Sequence, residues 1–224
     1  MGYEQRCPEG RAVDETSLKL FSRVCGWTGR TAAWRVRRIL GSALQKGMRA
    51  LDIGTGPAII PLYLKRFYPD TCLIGLDISL GMLAMASRHS EKSKVSLPLL
   101  AGDGEVLPIE ADTLDVITSF FALHHMDHPE RLLKEADRVL KSDGRLLVID
   151  FRRDMSSGLF RILDALWQIV FFCSAGRFGF RNSVRSAWRP DEIESILNQN
   201  NLGRFQVHAN RMELWIVENK GSVL

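Results

Sequence analysis

The residues best able to do chemistry in this chain are acids and glycines set at strand ends. The string LDIGTGPA at residues 51–58 runs an apolar strand into Asp52, then into Gly54 and Gly56, and then into a helix. Glycines at such a turn let the backbone bend sharply and approach a ligand closely, and the helix N-terminus behind them offers free N–H groups. A nucleotide-like ligand is the expected occupant. A second acid, Asp77, closes the next strand about twenty residues later, where a carboxylate commonly grips ribose hydroxyls. A third, Asp103 in AGDGEVLPIE, follows the third strand.

The mismatches narrow the ligand. A dinucleotide fingerprint, GxGxxG, needs a glycine where this chain has Ile59, so an NAD-dependent oxidoreductase is the weaker reading. Asp52 puts negative charge where a pyrophosphate would be repelled and a cationic amino group or a sulfonium attracted. After the fourth strand, His124, His125 and His128 gather with Asp127. Imidazoles and carboxylates can bind metals, but no HExxH or cysteine partner accompanies them, and no metal is expected. His124 or His125 as general base toward an acceptor hydroxyl is the better chemical reading.

The elements that must position these groups alternate regularly. Strands MRALDI, CLIGLD, VSLPLL, LDVITSF and GRLLVIDF are separated by helical patterns from about Ala58, in SLGMLAMASRH and in PERLLKEADRVL. That alternation predicts parallel βαβ units covered on both faces. Pro98 cannot donate to a ladder, which puts the third strand at a sheet edge. Pro61 falls where a helix starting near Ala58 would first need an N–H, so a late or irregular start is expected. Residues 14–46 carry two helical patterns, the second with Thr31 as candidate N-cap, and read as a helical cap over 1–46.

Residues 152–189 break the alternation before a helix PDEIESILNQN and two strands, RFQVHA and MELWIVE. Pro190, Asp191 and Glu192 mark that helix's start, and Gly203 lies beyond its end. Within the insertion, Arg161, Asp164 and Gln168 share one helical stripe and leave an apolar face carrying Phe160, Leu163, Leu166, Trp167, Val170 and Phe171. The run is too short and too charged to span a bilayer. It reads as a lid whose face packs on the core, lines an acceptor pocket or touches a membrane surface through 159–180.

Composition bounds the class. The 224 residues are 46% hydrophobic and 25% charged, which argues against a disordered or coiled-coil chain and allows one domain with an embedded insertion. A net charge of +4 is too mild to name a partner. The scattered Cys7, Cys25, Cys72 and Cys173 support neither a zinc ribbon nor a disulfide framework. The opening MGYEQRCPEGR lacks an apolar h-region, and position 6 is Arg where a myristoylation signal needs Ser or Thr. A cytoplasmic protein is expected.

Asp52, the two glycines, Asp77 and Asp103 in this order are features of S-adenosylmethionine sites, and the chain resembles the class I methyltransferases. More narrowly it is similar to the small-molecule group that includes the ubiquinone/menaquinone methyltransferases. LDIGTGPA matches the first motif, with Ala58 where a third glycine is usual. GLDIS, AGDGEVLPI and LDVITSFFALHHMDHPERLLKEADRVLKSDGRLLVID match the following pieces. The resemblance is good over roughly 48–150 and looser over the terminal helix and strand pair.

That resemblance implies a three-layer Rossmann-like α/β sandwich with a seven-stranded, mostly parallel sheet whose last strand is antiparallel. It implies a single methyltransferase domain over 1–224, with an S-adenosylmethionine-binding core at 48–151, an acceptor-side insertion at 152–189 and a terminal helix and strand pair at 190–218. Asp77 is implied on the ribose hydroxyls, Asp103 near the adenine amino group, and Asp52 with Gly54 and Gly56 near the methionine moiety. Thr55, Ile78, Met82, Gly104, Ser119 and Phe120 complete the expected cofactor set, and S-adenosylhomocysteine is the expected product. Phe160, Trp167, Phe171 and Arg152 are the expected acceptor contacts. The (D/N/S)PP(Y/F) motif of amino-directed nucleic-acid enzymes is replaced by SFFALHH, and a PCQ motif is missing, so DNA is not expected as acceptor. The expected reaction is methyl transfer to oxygen or carbon of a small, fairly apolar acceptor. A relative that binds the cofactor without catalysis and works through a partner is the alternative, and oligomeric state is left open.

Overall fold

β1 (Arg49–Ile53) has a strand on each side, so its residues alternate between two buried faces rather than between core and water. Ala50 packs toward one layer of helices, Leu51 and Ile53 toward the other. Truncating a fully buried leucine such as Leu51 to Ala would cost about 2–5 kcal/mol. The computed structural model describes residues 6–7, 29–41, 44–170 and 179–218.

Following β1, the chain forms α2 (Ile59–Phe67), β2 (Cys72–Asp77), α3 (Leu80–Ser93), β3 (Leu99–Ala101), β4 (Leu114–Phe120), α4 (Pro129–Val139) and β5 (Leu140–Phe151). The insertion contributes α5 (Ser157–Val170) and α6 (Gly179–Ser186), and α7 (Pro190–Gln199), β6 (Phe205–Ala209) and β7 (Glu213–Glu218) complete the fold. Ahead of β1, residues 29–40 form α1. The sheet has seven strands in the order β3-β2-β1-β4-β5-β7-β6. Pairs among β1 to β5 are parallel, and β7 runs antiparallel to both of its neighbours. α1, α2 and α3 supply one apolar layer and α4 and α7 the other. The alternation's parallel βαβ units are present, in the Rossmann-like arrangement that the family resemblance implies, and the strand order reverses between β1 and β4, where ligands bind in open α/β sheets.

Pro98 does direct β3 to the edge: the strand starts just after it, and the Pro98 carbonyl accepts the Gly75 N–H at 2.9 Å. Pro61 is better tolerated than its position promised. Ala58 caps α2 in the left-handed region at φ 56°, and the first helical bond runs from Leu62 N–H to the Ala58 carbonyl at 3.0 Å. Pro61 therefore lies in the first turn, where an N–H would have no helical partner. Thr31 is not an N-cap, because Gly29 and Arg30 are already helical. The earlier helical pattern, 14–28, lies outside the described residues. Asn200 caps the C-terminus of α7, and Asn201 at φ 55° makes the left-handed turn rather than Gly203.

The polarity of α5 is partly reversed from expectation. Asp164 is buried, accepting from Gln168 at 2.8 Å and from Arg181 of α6 at 2.5 Å, whereas Ile162, Leu166 and Ile169 face outward. A helical stripe fixes which residues share a face, and tertiary partners decide which face is buried. No helix among the described residues is long and apolar enough to cross a membrane.

Candidate functional site

The C-terminal ends of β1 and β4 meet at Gly54 and Ala122. A Cβ on Gly54 would stand 2.4 Å from the Ala122 Cβ, and Gly54 holds φ at +68°, so this position requires glycine twice over. The loop that follows is tied down along its length. Thr55 N–H donates to the Leu76 carbonyl at 2.9 Å, Gly56 N–H to Asp77 Oδ2 at 2.8 Å, and His89 Nδ1 lies 2.8 Å from the Pro57 carbonyl. Asp77 also accepts the Ser79 N–H through Oδ1 at 2.8 Å. Asp103 is fixed by an Asx turn, accepting the Glu105 N–H at 2.9 Å.

Around this loop lies a cavity of about 280 Å³. Asp52, Asp77 and Asp103 all line it, as do Gly54, Thr55, Gly56 and Gly104. Ile78, Met82 and Phe120 supply apolar wall. Every expected cofactor residue is thus at one cavity except Ser119. Strand alternation explains the exception: Thr118 shares the face of Asp52 and donates to its Oδ1 at 2.7 Å, so Ser119 points to the opposite face, where it is buried.

Asp52 is the unusual acid. Removal from water pushes its carboxyl up to about 7, against the pull of the Thr118 hydrogen bond, with the nearby Asp77 adding to the push. A buried carboxyl of this kind gains by meeting a cation. The N-terminus of α2 has no side-chain cap, so its N–H groups remain suited to an anion. A cation site and an anion site side by side fit an amino acid zwitterion. Asp77 and Asp103 on the lining of the same cavity, with Ile78 and Met82 as apolar wall, fit a nucleoside. The donor set therefore suits S-adenosylmethionine.

The two candidate bases part company here. His125 lines the cavity together with Phe121 and Met126, and His124 does not. His124 is buried, its Nδ1 2.8 Å from Asp150 Oδ1 and its backbone N–H donating to Asp150 Oδ2 at 2.7 Å. His128 is exposed beside Glu130. Among the described residues no group of His, Cys, Asp and Glu is arranged to hold a metal.

The expected acceptor contacts lie outside this cavity. Phe160 and Trp167 pack with Phe180 of α6, at ring-centroid distances of 6.0 and 6.1 Å. Arg152 is engaged by both oxygens of Asp154, at 2.7 and 2.6 Å, and by the Asn210 carbonyl at 2.7 Å. Its bidentate hydrogen bond holds the Asp154 carboxyl below the usual range. Phe171 lies outside the described residues. An aromatic path nevertheless joins cavity to insertion: Phe121 at the wall is 4.8 Å from Phe151, which meets Phe180 edge-on at 5.4 Å. Sequence reasoning missed Phe121, Ala122 and Met126, and also Gly29 and Ala32, which bring α1 to the cavity. The small pair Gly29 and Ala32, one turn apart, was the available signal for close approach.

Comparison with known proteins agrees with this geometry. A model of the methyltransferase domain matches residues 51–148. The chain is 32% identical over 165 residues to a ubiquinone/menaquinone biosynthesis C-methyltransferase of Syntrophotalea carbinolica, covering 73% of this chain and 68% of that one. It is 33% identical over 181 residues to a demethylmenaquinone methyltransferase of Renibacterium salmoninarum, covering 79% and 72%. In fold it is similar to a SAM-dependent methyltransferase of Aquifex aeolicus, with a TM-score of 0.66 at 18% identity over 92% of this chain and 98% of that one.

Proposed function

The chain belongs to the class I S-adenosylmethionine-dependent methyltransferases, in the ubiquinone/menaquinone methyltransferase-like group, and on that premise we propose that its acceptor is a reduced, quinone-like ring methylated at carbon. The observation that carries this reading is the aromatic path Phe121, Phe151, Phe180, which continues the cavity wall into the insertion. The names of the two relatives support it, since one is a C-methyltransferase and the other acts on demethylmenaquinone. S-adenosylmethionine, when bound, supplies an electrophilic methyl group on a sulfonium and leaves as S-adenosylhomocysteine. An acceptor carbon must therefore be electron-rich, which a hydroquinone ring is and an oxidised quinone is not.

In this reading Asp77 holds the ribose hydroxyls, Asp103 faces the adenine amino group, and Asp52 faces the ammonium of the amino acid. The α2 N-terminus takes the carboxylate. His125 accepts the proton of the acceptor hydroxyl, which raises electron density in the ring as the carbon attacks; the hydrogen displaced from that carbon leaves as a proton to solvent, the ring regains its aromaticity, and His125 returns the hydroxyl proton. Phe121 and Met126 beside it exclude water from the reacting side. Residues 152–189 cover the acceptor end, as part of a single domain over 1–224. Peripheral contact of 159–180 with a membrane belongs to the same reading, supported by the outward Ile162, Leu166 and Ile169 and tested by co-sedimentation with lipid vesicles. We place the protein in the cytoplasm and do not include DNA among its acceptors.

The test is incubation with methyl-deuterated S-adenosylmethionine and a panel of demethylmenaquinol, catechol and amine acceptors. Label on a ring carbon of the quinol supports the proposal. Label only on oxygen or nitrogen acceptors overturns it, and cofactor binding without any transfer favours the non-catalytic alternative.

A further inference from the structure

The turn that carries His125 to the cavity wall, Leu123–His125, is held from two sides. Asp150 holds one through the His124 backbone and ring. The other is held by Arg6, more than a hundred positions earlier in the chain. A single guanidinium nitrogen of Arg6 donates to the carbonyls of His124 at 3.1 Å and Met126 at 2.9 Å, the residues on either side of His125. A short 3-10 turn leaves its last carbonyls outside its own hydrogen-bond ladder, so they are available to such a donor.

Arg6 is itself well fixed. Its second terminal nitrogen pairs with Asp127 at 2.8 Å, its Nε donates to the Ser186 carbonyl at 2.7 Å, and its guanidinium lies 4.4 Å from the centre of the Trp188 ring. The next residue continues the docking, with Cys7 N–H donating to the Arg185 carbonyl at 3.1 Å. Only 13% of the Arg6 side chain is exposed. A planar fork with several donors can satisfy carbonyls, carboxylate and ring face together, and an ammonium cannot.

We infer that Arg6 is a positioning residue for this enzyme, acting through the 124–126 backbone to fix where His125 stands on the cavity wall. The inference rests on the reading of His125 as proton acceptor for its catalytic meaning, and on geometry alone for the positioning itself. Its contacts join the stretch around residue 6, the end of α6 and the histidine turn into one clamp.

The experiment reads His125 directly, without an acceptor. The full chain carries five histidines, few enough for carbon-13-labelled imidazole signals to be resolved and His125 assigned by His125→Gln. Arg6→Ala should shift or broaden the His125 signal while those of His89 and His208 stay in place. S-adenosylhomocysteine affinity should remain within about threefold by calorimetry, and added ethylguanidinium should restore the signal. Arg6→Lys should displace it as Arg6→Ala does, and decides the matter if Arg6→Ala does not fold. An unchanged His125 signal in a folded Arg6 variant overturns the inference, as does a uniform shift of all histidine signals. Loss of turnover in His125→Gln tests the proton-acceptor reading separately.

Discussion

Gly56 donates its N–H to Asp77 Oδ2 at 2.8 Å, so the glycine loop and the acid at the end of β2 are already joined before any ligand contact is considered. The loop is preorganised by the same carboxylate assigned to the ribose. Asp77→Ala should therefore weaken S-adenosylhomocysteine binding by roughly 2–4 kcal/mol, through lost charge-assisted bonds and a looser loop. Calorimetric titration checks this, and unchanged affinity would place the ribose elsewhere.

The contact between Gly54 and Ala122 gives a second test. Gly54→Ala forces a methyl group to 2.4 Å from the Ala122 Cβ at a backbone φ of +68°. Cofactor binding should be lost. Adding Ala122→Gly relieves the clash but not the left-handed backbone, so the double variant should recover binding only in part. Full recovery would mean that crowding alone sets the requirement for glycine.

Asp52 predicts a pH dependence. Burial lifts the folded carboxyl to about 7 from its ordinary 3.8, so between those values the native state keeps a proton that the unfolded chain has released. Stability should fall as pH rises through that window and level off above it, by on the order of 4 kcal/mol. Binding a cationic amino acid moiety favours the carboxylate, so S-adenosylhomocysteine should release about one proton at about pH 6. Asp52→Asn should abolish both effects, as read by chemical denaturation across pH and by calorimetry in buffers of different ionisation enthalpy.

The cofactor half of the site was legible because it is local. Asp52 stands near the end of β1 just before Gly54 and Gly56, Asp77 ends β2, and Asp103 follows β3, on strands that the alternation places together. Pro98 revealed an edge because one missing N–H has one structural consequence. Other features needed the third dimension. Ser119 and Thr118 are adjacent in sequence, and only the register of β4 against β1 decides that Thr118 meets Asp52. His124 and His125 look equivalent until Asp150 captures the first. The polar stripe of α5 was visible, but its burial against Arg181 depends on α6. Arg6 carries no local signal of this role, since the partners it has among the described residues are all distant in the chain.

Trp167 packs on Phe180 and lies away from the cavity. Trp167→Ala should lower stability by about 2–4 kcal/mol and reduce quinol turnover, with S-adenosylhomocysteine affinity unchanged. Thermal melts beside titrations check this. Weakened cofactor affinity would show that the insertion supports the whole site rather than its acceptor end.

The most direct test of the central claim is a crystal structure of the complex with S-adenosylhomocysteine. The account predicts the ribose hydroxyls on Asp77, the adenine amino group at Asp103, the ammonium near Asp52, and the sulfur turned toward His125 and Phe121. A nucleoside bound away from Asp77, or a sulfur facing away from the His125 wall, would contradict it.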